Sequence, residues 1–331
     1  MDEGGVMEID SDDPGPENSL AVIMDSTINE ISASENSSAS IQSLPADDIE
    51  EVFENNRRYA NMSYFLPNDE SEEVRASILH QIFLKVLSGH LTFHRIGTDI
   101  VRILDIGTGT GDWAIAMAES YPNSEIIVTD IWPFQSADVP PNLTYEIDDA
   151  SGEWGFAEKF DYIHIRGLVG AFKDWSMIYH QAYQACSETG YIEILDIGMV
   201  RYTVNKAGTA LEEYNEALRD AAAVAGISLD LEHLEEQIIQ KEGFRVFRRV
   251  SLDIPIGTWN LDPSRASMGK LALVTVLEGL ESQCLRLLTT YLGWTIDQVK
   301  VLCERLKTEI LQAADLKPFM TCQIVVARKM S

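Results

Sequence analysis

The sequence predicts a doubly wound α/β fold, in which helices cover both faces of a mostly parallel sheet. Two observations predict it. Five short runs are apolar almost throughout, and segments of helical pattern lie between them. Strands of this kind are buried on both faces, as in parallel sheets. The predicted strands span 101–106, 124–130, 143–148, 160–165 and 190–197, and the first helices span 111–120 and 173–187.

The N-terminal segment, residues 1–50, differs from the rest of the chain. It holds 13 acidic residues and no Lys or Arg, and it is rich in Ser and Asn. Too little apolar surface is available to offset the loss of chain entropy, so the segment is predicted to be a largely disordered acidic tail. Its role as a solubilising tail or as a segment that binds a protein partner is open at this point.

Residues 51–97 are predicted to form an N-terminal helical cap. In "EEVRASILHQIFLKVLSG" the apolar residues Val74, Ile78, Ile82 and Val86 follow at i, i+4 spacing, which indicates an amphipathic helix. Gly89 stands where the helix should end.

Residues 98–331 are predicted to form the α/β domain. Two further strands, 244–254 and 320–329, would complete a seven-stranded sheet, and helices are expected at 206–226 and 230–243. A helical insertion at about 260–318 is placed over one end of the site. Within it, Thr295 and Gln298 form a T-x-x-Q capping box.

Composition narrows the function classes. No stretch of about 18 apolar residues occurs, and the N-terminus lacks the basic and apolar parts of a signal peptide. A net charge of −28 disfavours non-specific binding to nucleic acid or anionic membrane. We therefore expect a soluble protein of the cytoplasm or the nucleus, with neither nucleic acid nor membrane as a direct partner. Four widely spaced cysteines and the extended run "GHLTFH" predict no metal site.

A glycine-rich turn follows the first predicted strand. In "LDIGTGTGDW" the aspartate Asp105 precedes glycines at every second position, Gly107, Gly109 and Gly111, with Thr108 between the first two. The dinucleotide fingerprint is instead G-x-G-x-x-G, and an acid at the strand end would repel a pyrophosphate. S-adenosylmethionine carries a sulfonium and an ammonium group and no phosphate. The turn therefore favours that cofactor.

Acids also end the next two strands. Asp130, followed by Ile131, ends the second strand, where a carboxylate can accept hydrogen bonds from ribose hydroxyls. That position alone would equally suit NAD. Asp148 and Asp149 end the third strand, where a carboxylate can accept the adenine amino hydrogen. The three strand ends together favour adenosylmethionine over a dinucleotide.

The run from Leu104 to Arg166, above all "IDDASGEWGFAEKFDYIHIR", resembles class I adenosylmethionine-dependent methyltransferases of the fungal LaeA-like group. The resemblance covers about residues 55–200. It implies a Rossmann-like methyltransferase fold for the predicted sheet. It also implies activity in fungal secondary metabolism, either on small acids or in the regulation of biosynthetic clusters.

The resemblance also implies roles for single residues. Asp149 and Ala150 would border the adenine, and Arg166 would lie near the methionine end of the cofactor. Tyr59 and Tyr64 would fold over the cofactor from the cap. His80 would face the methionine part.

Methyl transfer from a sulfonium needs alignment of donor and acceptor more than a dedicated catalytic group. A carboxylate acceptor needs no base, whereas a phenol or alcohol would benefit from one. His80 and His164 are the candidate bases, although His164 also suits a core histidine within a strand. Arg166 could pair with the carboxylate of a substrate or of the cofactor.

The leading hypothesis is an O-methyltransferase whose acceptor is a small carboxylic acid or hydroxylated metabolite. The alternative is a LaeA-like nuclear regulator that acts through protein partners, with the acidic tail as a possible contact. A third hypothesis is a protein that binds the cofactor without methylating anything.

Deletion of residues 1–45 should leave folding intact, because this segment contributes no apolar core. The measurement is the thermal unfolding midpoint of the full chain and of the truncated chain. A large drop in the midpoint on truncation would contradict the prediction of disorder.

Overall fold

The central sheet contains all of the predicted parallel strands. The computed structural model describes residues 52–133, 139–204, 206–312 and 314–330; the predictions for residues 1–50 lie outside them. The five parallel strands are β3 (Arg102–Ile106), β4 (Glu125–Asp130), β5 (Leu143–Ile147), β6 (Phe160–Arg166) and β7 (Cys186–Ile197). They pair in the order β5-β4-β3-β6-β7.

Two long antiparallel strands complete the sheet beyond β7. The last strand of the chain, β10 (Pro318–Lys329), runs between β7 and the edge strand β9 (Phe244–Pro255). The seven predicted strands are therefore present, and a two-residue strand, β8 (Arg201–Tyr202), adds a short eighth beside the start of β10. Strand order reverses at β3, which opens a crevice at the carboxyl ends of β3 and β6.

Seven α-helices surround this sheet in the described part of the chain. They are α1 (Glu70–Val86), α2 (Asp112–Ser120), α3 (Trp175–Ala185), α4 (Ala210–Ala225), α5 (Glu236–Lys241), α6 (Pro263–Tyr291) and α7 (Ile296–Gln312). The capping box of α7 forms as predicted: Thr295 N donates to Gln298 Oε1 at 2.8 Å, and Gln298 N to Thr295 Oγ1 at 3.2 Å. No helix of the described residues is long and apolar enough to cross a membrane.

The segment 230–243 is not one helix. A 3-10 turn, Leu231–Leu234, is followed by α5, because Glu235 between them has an extended backbone with ψ of 134°. A second 3-10 turn, Ala314–Leu316, precedes β10.

The region before the sheet contains a β-hairpin as well as the predicted helix. Strands β1 (Val52–Glu54) and β2 (Arg57–Tyr59) pair antiparallel. Asn55 and Asn56 join them with φ of 53° and 63°, the left-handed values that a two-residue hairpin turn needs. Three-residue strands are too short to show a period in the sequence, so the hairpin could not be predicted.

Helix α1 buries its predicted apolar face except at the N-terminal end. Ile78 and Ile82 are buried, but Val74 is 41% exposed, and Phe83 is buried in addition. The helix ends as expected near Gly89, whose backbone N–H donates to Leu84 O at 2.7 Å with a φ of +85°.

The apolar core lies on both faces of the sheet. Successive strand residues point to opposite faces, so Ile103 packs with the cluster around α2 whereas Leu104 packs with the cluster around α3. A third cluster joins α4, α6 and α7 to the cap helix α1. All four cysteines are free and buried.

The side-chain amide of Asn142 satisfies backbone carbonyl groups at the C-terminal end of α2. It donates to Ala118 O, Tyr121 O and Ser124 O at 2.9–3.1 Å. Asn142→Ala should lower the free energy of unfolding by about 1–3 kcal/mol, the cost of leaving partly buried acceptors unsatisfied. Asn142→Asp should cost more, since its carboxylate would face these carbonyls. Urea denaturation checks both. Asn123→Ala, at an exposed asparagine nearby, is the control, and an Asn142→Ala variant as stable as that control would contradict the prediction.

Candidate active site

The glycine turn after β3 adopts the conformation that only glycine readily allows. Gly107, Gly109 and Gly111 have φ of 69°, 59° and 77°. The turn is fixed on β4, because the N–H groups of Gly107 and Thr108 both donate to Thr129 O, at 2.9 and 3.0 Å. A Cβ atom on Gly107 would also lie 2.7 Å from Leu168. The turn therefore fits tightly between β4 and the loop after β6.

Asp130, the last residue of β4, holds this turn by its carboxylate. Its Oδ2 accepts from Gly109 N at 2.8 Å, and its Oδ1 accepts from Trp132 N at 3.2 Å. Burial raises the pKa of Asp130 to about 6, and the hydrogen bonds from Gly109 and Trp132 oppose that rise. Asp130 is thus ionised at neutral pH and protonated in mild acid.

A cavity of about 350 Å³ lies at the carboxyl ends of the strands. Seven residues singled out from the sequence line it: Tyr64, Gly107, Asp130, Ile131, Asp148, Asp149 and Ala150. Other walls were not predicted, namely Asn61 and Ser63 from the cap and Leu168 from the loop after β6. These residues lie in loops, which have no periodic pattern in the sequence. Their place at the cavity therefore could not be predicted.

Asp105 does not line this cavity; it lies beneath the turn. Its Oδ1 bonds to Nδ1 of His164 at 2.7 Å across the β3–β6 ladder, and both side chains are almost fully buried. The His164 ring stacks on Trp113 with centroids 3.7 Å apart. Burial lowers the pKa of His164 despite the neighbouring carboxylate. His164 is thus a core histidine whose Nδ1 faces the Asp105 carboxylate.

Tyr59 also lies away from the cavity. Its side chain is fully buried, and the guanidinium of Arg286 on α6 lies 3.6 Å from its ring centroid. Burial raises the pKa of Tyr59 to about 12. The structure therefore places Tyr59 behind the cap, and Tyr64 is the cap tyrosine that lines the cavity.

Arg166 and His80 contact each other, although neither lines that cavity. Arg166 Nη2 lies 3.1 Å from His80 Nδ1, and the guanidinium lies 4.9 Å from the Phe83 ring centroid. Burial and the adjacent Arg166 lower the pKa of His80 to about 4. Burial lowers the pKa of Arg166 to about 10, and the charges of Asp105 and Asp112 oppose this. Arg166 forms no ion pair within the described ranges, so it keeps donors for an anionic ligand.

From the sequence, His233 is predicted to be a surface residue, and this is wrong. His233 is 5% exposed, its Nε2 lies 2.8 Å from Asp196 Oδ2, and its ring stacks on Trp175. Asp196 Oδ1 accepts from Val169 N at 3.2 Å. Asp196 therefore ties the loop after β6 to the 3-10 turn. The polar run "DLEHLEE" masked this burial in the sequence.

The residues present fit adenosylmethionine. The carboxylates of Asp130, Asp148 and Asp149 supply acceptors for hydroxyl and amino groups, and Ile131 and Ala150 supply apolar contacts. Carboxylates on this wall would repel a pyrophosphate. Arg166 supplies charge-assisted donors that match a carboxylate.

Comparison with known proteins gives matches over most of the chain. The family described as "methyltransferase domain" matches residues 42–247. Methyltransferase pytC of Aspergillus terreus is 30% identical over 284 residues, which cover 84% of this chain and 87% of that protein. Secondary metabolism regulator LAE1 of Cochliobolus heterostrophus is 31% identical over 258 residues, 75% and 84% of the two chains.

A further relative and a solved structure are also similar. The protein-methionine methyltransferase laeA of Emericella nidulans is 25% identical over 286 residues, 83% of this chain and 76% of that one. Phosphoethanolamine N-methyltransferase 2 of Haemonchus contortus, solved with S-adenosylhomocysteine, matches with a TM-score of 0.46 and 19% identity, covering 83% of this chain and 62% of that one.

Replacement of Asp130 tests its part in binding. Affinity for S-adenosylhomocysteine should fall about tenfold between pH 7 and pH 5, because a carboxyl with a pKa near 6 loses its charge there. Asp130→Ala should weaken binding at pH 7.5 by roughly 1.5–3 kcal/mol and remove most of this pH dependence. Isothermal titration calorimetry checks both, with Asp220→Ala, at an exposed acid of α4, as the control. Unchanged affinity in Asp130→Ala would refute the role.

Proposed function

The chain belongs to the methyltransferase-domain family and is an S-adenosylmethionine-dependent methyltransferase related to proteins of fungal secondary metabolism, and we propose that its acceptor is the carboxylate of a small organic acid. The contact between Arg166 and His80 is the observation that carries this proposal. An acceptor needs a group that orients it and, where it must lose a proton, a group that takes that proton. The contact between Arg166 and His80 bears on both needs.

The bound cofactor supplies a methyl group already activated by the positive charge on sulfur. The protein has to hold, orient and shield the reactants. Gly107, Asp130 and Asp148 on the strand ends would hold the adenosine part, and Tyr64 on the cap would exclude water from above it.

His80 is not arranged as a general base. An arginine can only donate, so the hydrogen bond with Arg166 occupies the lone pair on Nδ1 of His80. The neutral ring then carries its hydrogen on Nε2, which leaves that nitrogen no lone pair. A pKa of about 4 keeps the ring neutral at physiological pH. His80 can donate a hydrogen bond from Nε2, but it cannot accept a proton while Arg166 is in place.

His164 is also unsuited to that role. Its side chain is 1% exposed and lies between Asp105 and the Trp113 ring, below the turn. An acceptor that must lose a proton would thus find no base in either predicted position. A carboxylic acid needs none, because it is ionised at pH 7. The spare donors of Arg166 match such an anion, and they would orient it.

A panel of acceptors tests the proposal. The chain should transfer labelled methyl from adenosylmethionine to small monocarboxylic acids, giving base-labile methyl esters, and not to the matched alcohols and phenols. Arg166→Gln should lower kcat/KM for the acid by roughly 10- to 100-fold, as expected for lost hydrogen bonds to a charged group. Arg219→Gln, at an exposed ion pair on α4, is the matched control.

Two outcomes would count against this function. Transfer to phenols with no transfer to acids would require a base other than His80 and His164. Calorimetry with S-adenosylhomocysteine separates the roles of Arg166. A large loss of affinity in Arg166→Gln would assign the guanidinium to the carboxylate of the cofactor instead of the acceptor.

A regulatory role through protein partners is the second candidate. The acidic segment 1–50 favours it, as does the similarity to proteins named as regulators of secondary metabolism. Stable capture of nuclear proteins by the full chain, lost on deletion of residues 1–45, would support it. It would replace the first proposal if no small acid is methylated.

A further inference from the structure

We propose that Arg286, in helix α6, is a positioning residue that sets one wall of the cofactor cavity. The wall is the cap loop 61–64, hereafter the cap wall, of which Asn61, Ser63 and Tyr64 line the cavity. The inference rests on the assignment of this cavity to adenosylmethionine. It gives helix α6 a role in a site whose lining residues all precede it in the chain.

The guanidinium of Arg286 donates hydrogen bonds to backbone carbonyl groups at both ends of the cap wall. Arg286 Nη1 donates to Asn61 O and to Tyr64 O, both at 2.7 Å. Its Nε donates to Glu54 Oε2 at 2.9 Å, and its plane lies over the Tyr59 ring at 3.6 Å. The Arg286 side chain is 3% exposed. These contacts are therefore shielded from water, where hydrogen bonds to a charged group contribute most.

The cap wall is internally braced, so its position is set as a unit. Asn61 Oδ1 accepts from Ser63 N at 2.9 Å and from Tyr64 N at 2.7 Å. This closes the loop on itself. Among the described residues, Arg286 supplies the hydrogen bonds that tie this loop to α6. A shift of Arg286 would therefore move Asn61 and Tyr64 together, and the cavity wall with them.

A neighbouring link provides a matched control. Arg57 Nη1 donates to Ser282 Oγ at 2.9 Å, and Arg57 also pairs with Asp69, the N-cap residue of α1. Ser282 lies one helical turn before Arg286 on α6, so both links join the same hairpin region to the same helix. Neither Arg57 nor Ser282 lines the cavity, and the hydrogen bond between them does not involve the cap wall. Loss of the Ser282 contact should loosen the hairpin and leave the wall in place.

The chemistry of the contact requires arginine. The planar guanidinium donates in three directions and also stacks on an aromatic ring. A lysine ammonium keeps the charge but cannot hold two carbonyls, a carboxylate and the Tyr59 face in this geometry. Arg286→Lys thus preserves the buried charge and removes the positioning.

The test is S-adenosylhomocysteine binding by calorimetry to the full-length wild type, Arg286→Lys and Ser282→Ala, with the unfolding midpoint of each. Arg286→Lys should bind about tenfold more weakly, the scale of a lost charged hydrogen bond. Ser282→Ala should lower the unfolding midpoint. Its affinity should stay within about twofold of the wild-type value, a smaller change than the loss of one such hydrogen bond would cause. Hydrogen exchange should also show faster exchange of the Ser63 and Tyr64 amides in Arg286→Lys alone.

Wild-type affinity in a folded Arg286→Lys would overturn the proposal, as would equal losses of affinity in Arg286→Lys and Ser282→Ala. If Arg286→Lys fails to fold, Glu54→Gln replaces it, because it releases the Nε end of the guanidinium. An affinity loss of about threefold would then support the proposal, and unchanged affinity would overturn it. Absence of binding to the wild type would instead refute the cofactor assignment itself.

Discussion

The site depends on one buried bond, between Asp105 and His164, at the point where the strand order reverses. It joins β3, which ends in the glycine turn, to β6, which ends in Arg166, and thus fixes the two strand ends relative to each other. A buried carboxylate or imidazole without a partner would be costly, so each residue requires the other. The Trp113 ring stacked on His164 excludes water from the bond.

The site separates its charges. Carboxylates gather at the ends of β4 and β5, where a ligand offers hydroxyl, amino and cationic groups. The guanidinium of Arg166, which has no ion-pair partner among the described residues, lies at the end of β6. Burial raises the pKa of Asp130 and lowers that of Arg166. Both shifts show that the protein holds these charges at a cost, which a ligand with complementary groups would offset.

Features with local causes could be predicted from the sequence. The seven long strands follow from apolar runs, and the α7 cap follows from Thr295 and Gln298. The position of Asp130 could also be predicted, because it is the single acid at the end of a predicted strand. The rest depends on contacts between distant segments. Nothing near Arg286 in the sequence indicates its contact with Asn61, which lies 225 residues earlier, and His233 is buried only because Asp196 and Trp175 meet it in the fold.

The hydrogen bonds between Arg286 and the cap wall can form only late in synthesis of the chain. The cap leaves the ribosome early, yet its partner helix is made about 225 residues later, on the order of ten to fifty seconds at cellular elongation rates. In the later part of that interval the nascent chain already has the glycine turn and its acids, but Arg286 is not yet there to hold the cap wall. The stretch that matches the methyltransferase family ends at residue 247, before α6 begins. A fragment cut at that family boundary would therefore lack the residue that finishes its own pocket.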